Sequence, residues 1–140
     1  MDDFATQIAA LKARYPGAET YRFGDSADLN AELLALVRAG RKTATCSTEI
    51  EIAAGEAAPV VGRCDISLEW SGRPALITET LRLERVRFRD MTEAMALAEG
   101  ENASLADWRA GHERYYRRKG IFDPDMWLLW EAFRVVEDVG

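Results

Sequence analysis

Two amphipathic helical patterns occupy the first third of the chain. Apolar residues recur at helical spacing at Phe4, Ile8, Leu11 and Tyr15, and again at Leu29, Leu33, Leu36 and Val37. Pro16-Gly17 is placed to end the first helix, which falls within residues 1–20, and Gly40 is placed to end the second. Asp25 or Ser26 offers the side-chain oxygen that caps a helix N-terminus. The pattern therefore predicts two helices joined by a short extended segment.

The middle of the chain has the alternation of a β-sheet. Apolar and polar positions alternate from 64 to 70, which predicts a strand with one buried face (Cys64, Ile66, Leu68, Trp70) and one solvated face (Asp65, Ser67, Glu69). Ser71-Gly72 predicts a hairpin into a long second strand over residues 75–89. The apolar parity changes between Leu83 and Val86, so we expect a β-bulge near Glu84-Arg85.

Helix signals return in the last third of the chain and precede one final strand. Thr92 is placed to cap a short helix through Ala98, and Ser104 opens a helix that runs to about Lys119. Asp123-Pro124 breaks the chain before an apolar strand over residues 127–137. Together the elements predict an α+β fold, a small, curled and mostly antiparallel β-barrel framed by helices. We expect a single domain over residues 1–140.

Composition and charge limit the classes of function. The 140 residues include 48% hydrophobic and 30% charged residues, and the formal net charge of -6 argues against bulk electrostatic coating of nucleic acid. No apolar run reaches membrane-spanning length, and Met1-Asp2-Asp3 lacks the order of a signal peptide, so we expect a cytoplasmic protein without a membrane partner. Cys46 and Cys64 are expected as free thiols. Local basic clusters (38–42, 82–89 and 114–119) permit a small nucleotide site, although solvated faces explain such clusters more often.

Lys42 is the first candidate for chemistry, within the stretch Gly40-Arg41-Lys42-Thr43-Ala44-Thr45-Cys46. It stands at a helix-to-strand corner, a position that holds a cation rigidly at the edge of a sheet. Thr43 and Thr45 share one face of the predicted strand, and a lysine near a hydroxyl can activate a nucleophile. A solvent-exposed lysine followed by two threonines that favour a β-strand would give the same sequence, so spacing alone leaves both interpretations open.

Several separated motifs resemble the ASCH domain family. They are Gly40-Arg41-Lys42-Thr43-Ala44-Thr45, Phe23-Gly24-Asp25-Ser26, Glu99-Gly100-Glu101-Asn102, Ser104-x-x-x-Trp108-x-x-x-His112, and Pro124-Asp125-Met126 with Glu131-x-Phe133-x-Val135-Val136. The resemblance covers about residues 21–137. The chain is similar to the branch of the family that has N- and C-terminal helical additions. It implies a PUA-like β-barrel with a cleft beneath the flanking helices. Its implied partners are RNA, a nucleotide or a modified nucleoside, and no cofactor or metal.

The resemblance also implies roles for individual residues. Some family members are described as ribonucleases, and a small relative hydrolyses the acetyl amide of N4-acetylcytidine with a lysine, a threonine three residues on and a distant glutamate. By motif these fall on Lys42, Thr45 and Glu101. Residues expected to bind substrate are Arg41, Thr43, Ser47, Trp108, His112 and Tyr115. Many family members have glutamate and arginine where this chain has Thr45 and Ser47, so we expect a different recognition of the substrate's polar end.

Two mechanisms and one non-catalytic function remain open from the sequence. Lys42, made neutral by partial burial, would take the proton of Thr45 for attack on an acyl or amide carbonyl, with Glu101 as general acid or base. A ribonuclease would use Lys42 to stabilise the phosphorane and Glu101 to take the 2′-hydroxyl proton. The alternative is a non-catalytic RNA-binding or regulatory module. From spacing alone, core packing explains Trp108 and His112 more often than a site role does. Glu131 is explained equally by a buried ion pair with an arginine and by a site role.

Overall fold

A computed structural model of the protein describes residues 3–140, and Met1 and Asp2 of the acidic N-terminal segment lie outside the described residues. The two predicted N-terminal helices are confirmed as α1 (Phe4–Arg14) and α2 (Ala27–Arg38), with β1 (Thr20–Tyr21) between them. Ser26, and not Asp25, caps α2, because its side chain accepts a hydrogen bond from the Leu29 amide. Gly40 ends this region with a φ of 75°, a conformation that glycine adopts without strain.

The remaining strands form a mixed five-stranded sheet. They are β2 (Ala44–Thr48), β3 (Cys64–Leu68), β4 (Pro74–Arg87) and β5 (Trp127–Asp138), in the order β1-β3-β4-β5-β2. Every pairing is antiparallel except the short parallel pairing of β1 with β3. The predicted α+β, mostly antiparallel fold is confirmed. The sheet is not closed by strand pairing, since β1 and β2 are its two edges.

The predicted position of the β-bulge is wrong by a few residues. The register between β4 and β5 shifts between Ile77 and Thr78 and again between Thr80 and Arg82, whereas pairing from Arg82 to Arg87 is regular. Leu81 is the residue without a partner at the second shift, and it is 49% exposed. The bulge therefore lies at Leu81, and the regular pairing after it leaves Leu83 and Val86 on opposite faces of the sheet.

The expectation that β3 has a solvated face is also wrong. Asp65 and Ser67 are buried, as are Ile66 and Leu68 on the opposite face. Ile66 and Leu68 pack with Leu11 of α1, while Asp65 faces a cleft on the other side of the sheet. Trp70 lies beyond the end of the strand and is 45% exposed. Both faces of β3 are therefore covered, and Asp65 is a polar residue at the wall of the cleft.

Three further helices pack around the sheet, and two of them are short. They are α3 (Glu49–Ala53), α4 (Glu93–Ala98) and α5 (Leu105–Arg118), and a 3-10 turn spans Phe88–Asp90. Thr92 and Ser104 cap α4 and α5 as predicted. Trp108 of α5 is completely buried among residues of the sheet such as Leu128 and Trp130. Within residues 3–140, no helix has the length and apolarity to cross a membrane.

Candidate functional site

A cavity of about 640 Å³ lies against the polar face of the sheet. The sheet contributes Thr45 and Glu131, α5 contributes His112 and Tyr115, and the segment after α4 contributes Glu101. A volume of several hundred cubic ångströms is typical of small-molecule sites. Several of the residues that the motifs proposed for a site line this cavity.

Lys42 is buried at the wall of this cavity and has three acceptors for its ammonium group. Its side chain is 1% exposed, and Nζ donates to Glu101 Oε2 at 2.7 Å, to the Ala44 carbonyl at 2.9 Å and to the Glu99 carbonyl at 3.3 Å. An ammonium has three N–H groups, and a neutral amine has two. Three acceptors therefore favour the charged form of Lys42, in contrast to the neutral base expected from the sequence.

The backbone around Gly100 explains why Lys42 and Glu101 meet across a long stretch of sequence. Gly100 has a φ of 75°, and a Cβ built on it would lie 2.3 Å from the Arg41 carbonyl oxygen and 2.8 Å from Lys42 Cα. The Thr43 amide also donates to the Ala98 carbonyl at 2.9 Å. The segment that carries Glu99 and Glu101 thus rests directly on the main chain that carries Lys42.

Glu99 is a buried carboxyl that the sequence analysis did not single out as a site residue. Its side chain is 2% exposed, and Oε2 accepts a hydrogen bond from Trp108 Nε1 at 3.0 Å. Burial raises the pKa of Glu99 to about 7, and the neighbouring Lys42 ammonium opposes this rise. Glu99 also lines the cavity. The only sequence signal was its place two residues before Glu101, in a segment with no apolar pattern that would predict burial.

His112 lines the cavity next to Glu99. Its Nδ1 lies 2.9 Å from the Trp108 carbonyl oxygen, and its Nε2 lies 3.8 Å from Glu99 Oε1. The imidazole stacks on the Trp108 indole with ring centroids 4.1 Å apart. Burial lowers the pKa of His112, which favours the neutral imidazole.

Thr45 and Glu131 are direct partners across the β2–β5 pairing, and both line the cavity. Residues opposite each other in an antiparallel pair point to the same side of the sheet. Glu131 accepts a hydrogen bond from Thr80 Oγ1 at 2.6 Å, and burial raises the pKa of its carboxyl. No arginine pairs with Glu131 among residues 3–140, so a place in the cleft is the interpretation that the structure supports.

Of the nine residues predicted for the site, six line the cavity. They are Lys42, Thr45, Ser47, Glu101, His112 and Tyr115. Arg41 and Thr43 are exposed and lie outside the lining, because alternate residues of the chain point away from Lys42, and Thr43 Oγ1 donates to the Ala98 carbonyl. Trp108 is fully buried, so a substrate base cannot stack on it, and it contacts the site through Glu99.

The electrostatic character of the cavity is acidic. Among the described residues that line it, eight are acidic and four are basic, namely Arg22, Lys42, Arg63 and Arg118. Two of these cations are paired, Lys42 with Glu101 and Arg63 with Asp65 at 2.8 Å. Clefts that concentrate one sign of charge favour ligands of the opposite sign or none. The lining therefore suits an uncharged or cationic ligand better than a chain of phosphates.

The basic clusters of the sequence do not join into one face with Lys42. Lys42 is buried, Arg85 of β4 pairs with Glu49, and Arg89 pairs with Asp125 at 2.7 Å. In α5, Arg117 pairs with Glu113 at 3.0 Å. The continuous basic surface that an RNA-binding cleft would require is thus interrupted by acidic partners.

Comparisons with known proteins agree with this architecture. A family model described as the ASCH domain matches residues 19–137. The fold is similar to a crystal structure of an ASCH domain from Lactobacillus crispatus JV V101, with 30% identity and a TM-score of 0.76 over 91% of this chain and 84% of that chain. It is also similar to a crystal structure of a protein from Enterococcus faecalis V583, with 29% identity and a TM-score of 0.79 over 96% of this chain and 93% of that chain. A search of the curated proteins finds no match. The resemblance carried by the motifs is therefore confirmed, and the chain belongs to the ASCH domain family.

Proposed function

We propose that the cleft hydrolyses an acyl or amide bond of a modified nucleoside, with Lys42, Thr45 and Glu101 as its catalytic residues. ASCH domains have a PUA-like fold that is generally linked to RNA binding, and hydrolysis is the more specific activity of this proposal. The observation that carries the proposal is the buried Lys42 ammonium, 2.7 Å from Glu101 Oε2, at the wall of a cavity that Thr45 also lines.

The contacts of Lys42 change the division of roles among the three residues. Because Lys42 is held as an ammonium by three acceptors, it acts as a fixed positive charge that keeps Glu101 ionised and stabilises a developing oxyanion. Glu101, as a carboxylate, takes the proton of Thr45 Oγ1. The hydroxyl oxygen then attacks the acyl carbon and forms an ester, which water hydrolyses in a second step.

Size and charge favour a nucleoside over an RNA strand as the ligand of this cleft. A cavity of about 640 Å³ fits a molecule of nucleoside size. Phosphates bind where lysine and arginine groups are free, and two of the four basic groups that line this cavity are already paired. The same reasoning makes a ribonuclease the less favoured use of the three residues.

One surface observation favours the alternative of an RNA-binding module. Arg85 and Arg87 of β4 lie over the Trp127 ring, 3.7 Å and 4.7 Å from its centroid, outside the cavity, and Arg85 also pairs with Glu49. Arginine and aromatic groups together are typical of surfaces that bind single-stranded nucleic acid. This surface would bind RNA without any role for Lys42 or Glu101, so the two functions can be separated by mutation.

The test is incubation of the protein with N4-acetylcytidine and with single-stranded RNA, followed by mass spectrometry. We expect deacylation of the nucleoside and intact RNA. Glu101→Gln and Thr45→Ala should each lower kcat by about 100-fold or more, since each removes a group that handles a proton or forms a bond. Thr43→Ala is the matched control for Thr45→Ala, because its side chain lies outside the cavity.

Two results would contradict the proposal. Deacylation that is unchanged in Lys42→Met would remove the lysine from the chemistry, provided that circular dichroism shows the variant to be folded. Cleavage of RNA that survives Thr45→Ala but not Glu101→Gln would indicate a ribonuclease instead, because the 2′-hydroxyl and not Thr45 is then the nucleophile.

A further inference from the structure

The carboxyl group of Glu99 and the imidazole of His112 face each other inside the protein, with Oε1 and Nε2 3.8 Å apart. His112 Nδ1 lies 2.9 Å from the Trp108 carbonyl oxygen, which can only accept, so Nδ1 must carry the hydrogen. The Nε2 of a neutral His112 is then an acceptor, and it lies 3.8 Å from Glu99 Oε1. An ionised carboxylate is also an acceptor, so an ionised Glu99 beside a neutral His112 would leave two lone pairs facing each other.

We propose that Glu99 carries a proton at neutral pH and is the proton donor of the cleft. Glu101 keeps the opposite state, because the Lys42 ammonium holds it as a carboxylate at 2.7 Å. The two carboxyl groups, only two residues apart, thus have different roles: Glu101 acts as the base and Glu99 as the acid. Enzymes that use two carboxyl groups commonly separate their roles through such differences in environment.

The groups that face Glu99 agree with a neutral carboxylic acid. From β2 comes the Cys46 thiol, and from α5 come the Trp108 indole, His112 and Tyr116. Burial raises the pKa of both Cys46 and Tyr116, so neither is charged at neutral pH. The two charged neighbours, Lys42 and Glu101, are paired with each other, and their fields at Glu99 oppose one another. Burial is then the dominant influence on Glu99, and it favours the protonated form.

The acid form of Glu99 can satisfy the hydrogen bonds around it, although the Cys46 thiol and the Trp108 indole also stabilise the ionised form. Glu99 Oε2 accepts from Trp108 Nε1 at 3.0 Å, which is the role of the carbonyl oxygen of a carboxylic acid. Oε1 is the oxygen directed at His112 Nε2, which is the role of the hydroxyl. A glutamine side chain would reproduce both roles, because its carbonyl accepts and its amide group donates. Glu99→Gln is therefore a structural mimic of the protonated acid that cannot release a proton.

The donor role rests on the proposed hydrolysis, and the protons balance over its two steps. In the first step Thr45 Oγ1 bonds to the acyl carbon and gives its proton to Glu101, while the carbon–nitrogen bond breaks and the nitrogen takes the proton of Glu99. In the second step water attacks the ester and gives a proton to Glu99, while Glu101 returns its proton to Thr45 Oγ1. The sum is one amide and one water converted into an acid and an amine, with both glutamates restored.

The location of the proton is measured by NMR, independently of any activity. His112 is the only histidine of the chain, so its two ring nitrogens give unambiguous ¹⁵N signals. We expect Nδ1 to carry hydrogen and Nε2 to be bare near neutral pH, with the Glu99 carboxyl ¹³C signal titrating near pH 7. The carboxyl signal is assigned by its loss in Glu99→Gln. A protonated Nε2 at neutral pH, or a Glu99 that titrates in the ordinary carboxyl range, would overturn the proposal.

The donor role is measured by the pH dependence of deacylation. The wild-type kcat should fall as pH rises above about 7, because Glu99 loses its proton. Glu99→Gln should lower kcat by about 100-fold or more and abolish that fall, with KM little changed. Glu113→Gln is the matched control, because Glu113 is a half-exposed residue of α5 that pairs with Arg117. An unchanged kcat and pH profile in Glu99→Gln would refute the donor role. A wild type without any turnover would refute the proposed function and the donor role together, and the NMR result would still decide where the proton lies.

Discussion

Replacing Glu99 with glutamine should make the protein more stable, by an amount that grows with pH. In the folded protein the pKa of Glu99 is raised to about 7 from an ordinary value of 4.5. The folded state therefore binds this proton more tightly than the unfolded state, so stability is fully present below about pH 4.5 and is lost as pH rises toward 7. The interval of about 2.5 pH units corresponds to about 3 kcal/mol. The glutamine amide keeps the hydrogen bonds and never ionises, so it avoids this loss.

The assay is urea unfolding of the wild type and Glu99→Gln between about pH 5 and about pH 8. The difference in the free energy of unfolding should widen by about 2.5 kcal/mol over that range, since most of the Glu99 titration falls within it. Subtracting the two proteins removes the titration of every group that they share. The same series on Glu113→Gln should show a difference that stays within about 0.5 kcal/mol of zero. A Glu99→Gln difference that is constant across pH would refute a buried, protonated Glu99.

Three further predictions concern the contacts around the same site. Gly100→Ala should lower the free energy of unfolding by about 3 kcal/mol or more, because its Cβ would lie 2.3 Å from the Arg41 carbonyl oxygen. The control is Gly120→Ala, which has a similar φ of 72° and nothing within 4 Å of the added Cβ. It should lower the free energy of unfolding by only about 1–2 kcal/mol in the same urea assay. Glu101→Gln should lower the free energy of unfolding by about 1–3 kcal/mol at neutral pH, because it removes the charged partner of the buried Lys42. An effect in urea unfolding no larger than that of Glu113→Gln would contradict the ion pair between Lys42 and Glu101. Trp108→Phe should move the titration of Glu99 to higher pH, because the indole N–H that stabilises its ionised form is lost; a carboxyl ¹³C titration that stays in place would contradict this assignment.

The features that the sequence predicted well are those that depend on neighbouring residues. The ends of α2 and α5 follow from Ser26, Gly40 and Ser104, each of which acts within a few residues of its own position. The corner that presents Lys42 is of this kind, since the Arg41 and Lys42 amides both donate to the Leu36 carbonyl. Helix ends and corners that depend on nearby residues can be predicted from a single sequence.

The features that were missed depend on contacts between distant residues. Glu99 is buried because Trp108 covers it and because Gly100 packs on residues 57 or more positions earlier, and no periodic pattern records this. Asp65 and Ser67 alternate with apolar residues as a solvated strand face would, yet both are buried, and Asp65 lies at the wall of the cavity beside Arg63. The bulge at Leu81 is fixed by the register against β5, a strand about fifty residues away along the chain.

The contact between Gly100 and the Arg41–Lys42 main chain separates two properties of this cleft. The lysine and both glutamates are located by backbone resting on backbone, with no room for even a methyl group at Gly100. Ser47, Tyr115 and Glu131 line the cavity without being part of that backbone contact. Substitutions at those three positions can therefore change which molecule fits without moving the groups that handle protons. Under the proposed function, the backbone contact at Gly100 fixes Lys42 and both glutamates, and the choice of substrate depends on other residues of the cavity.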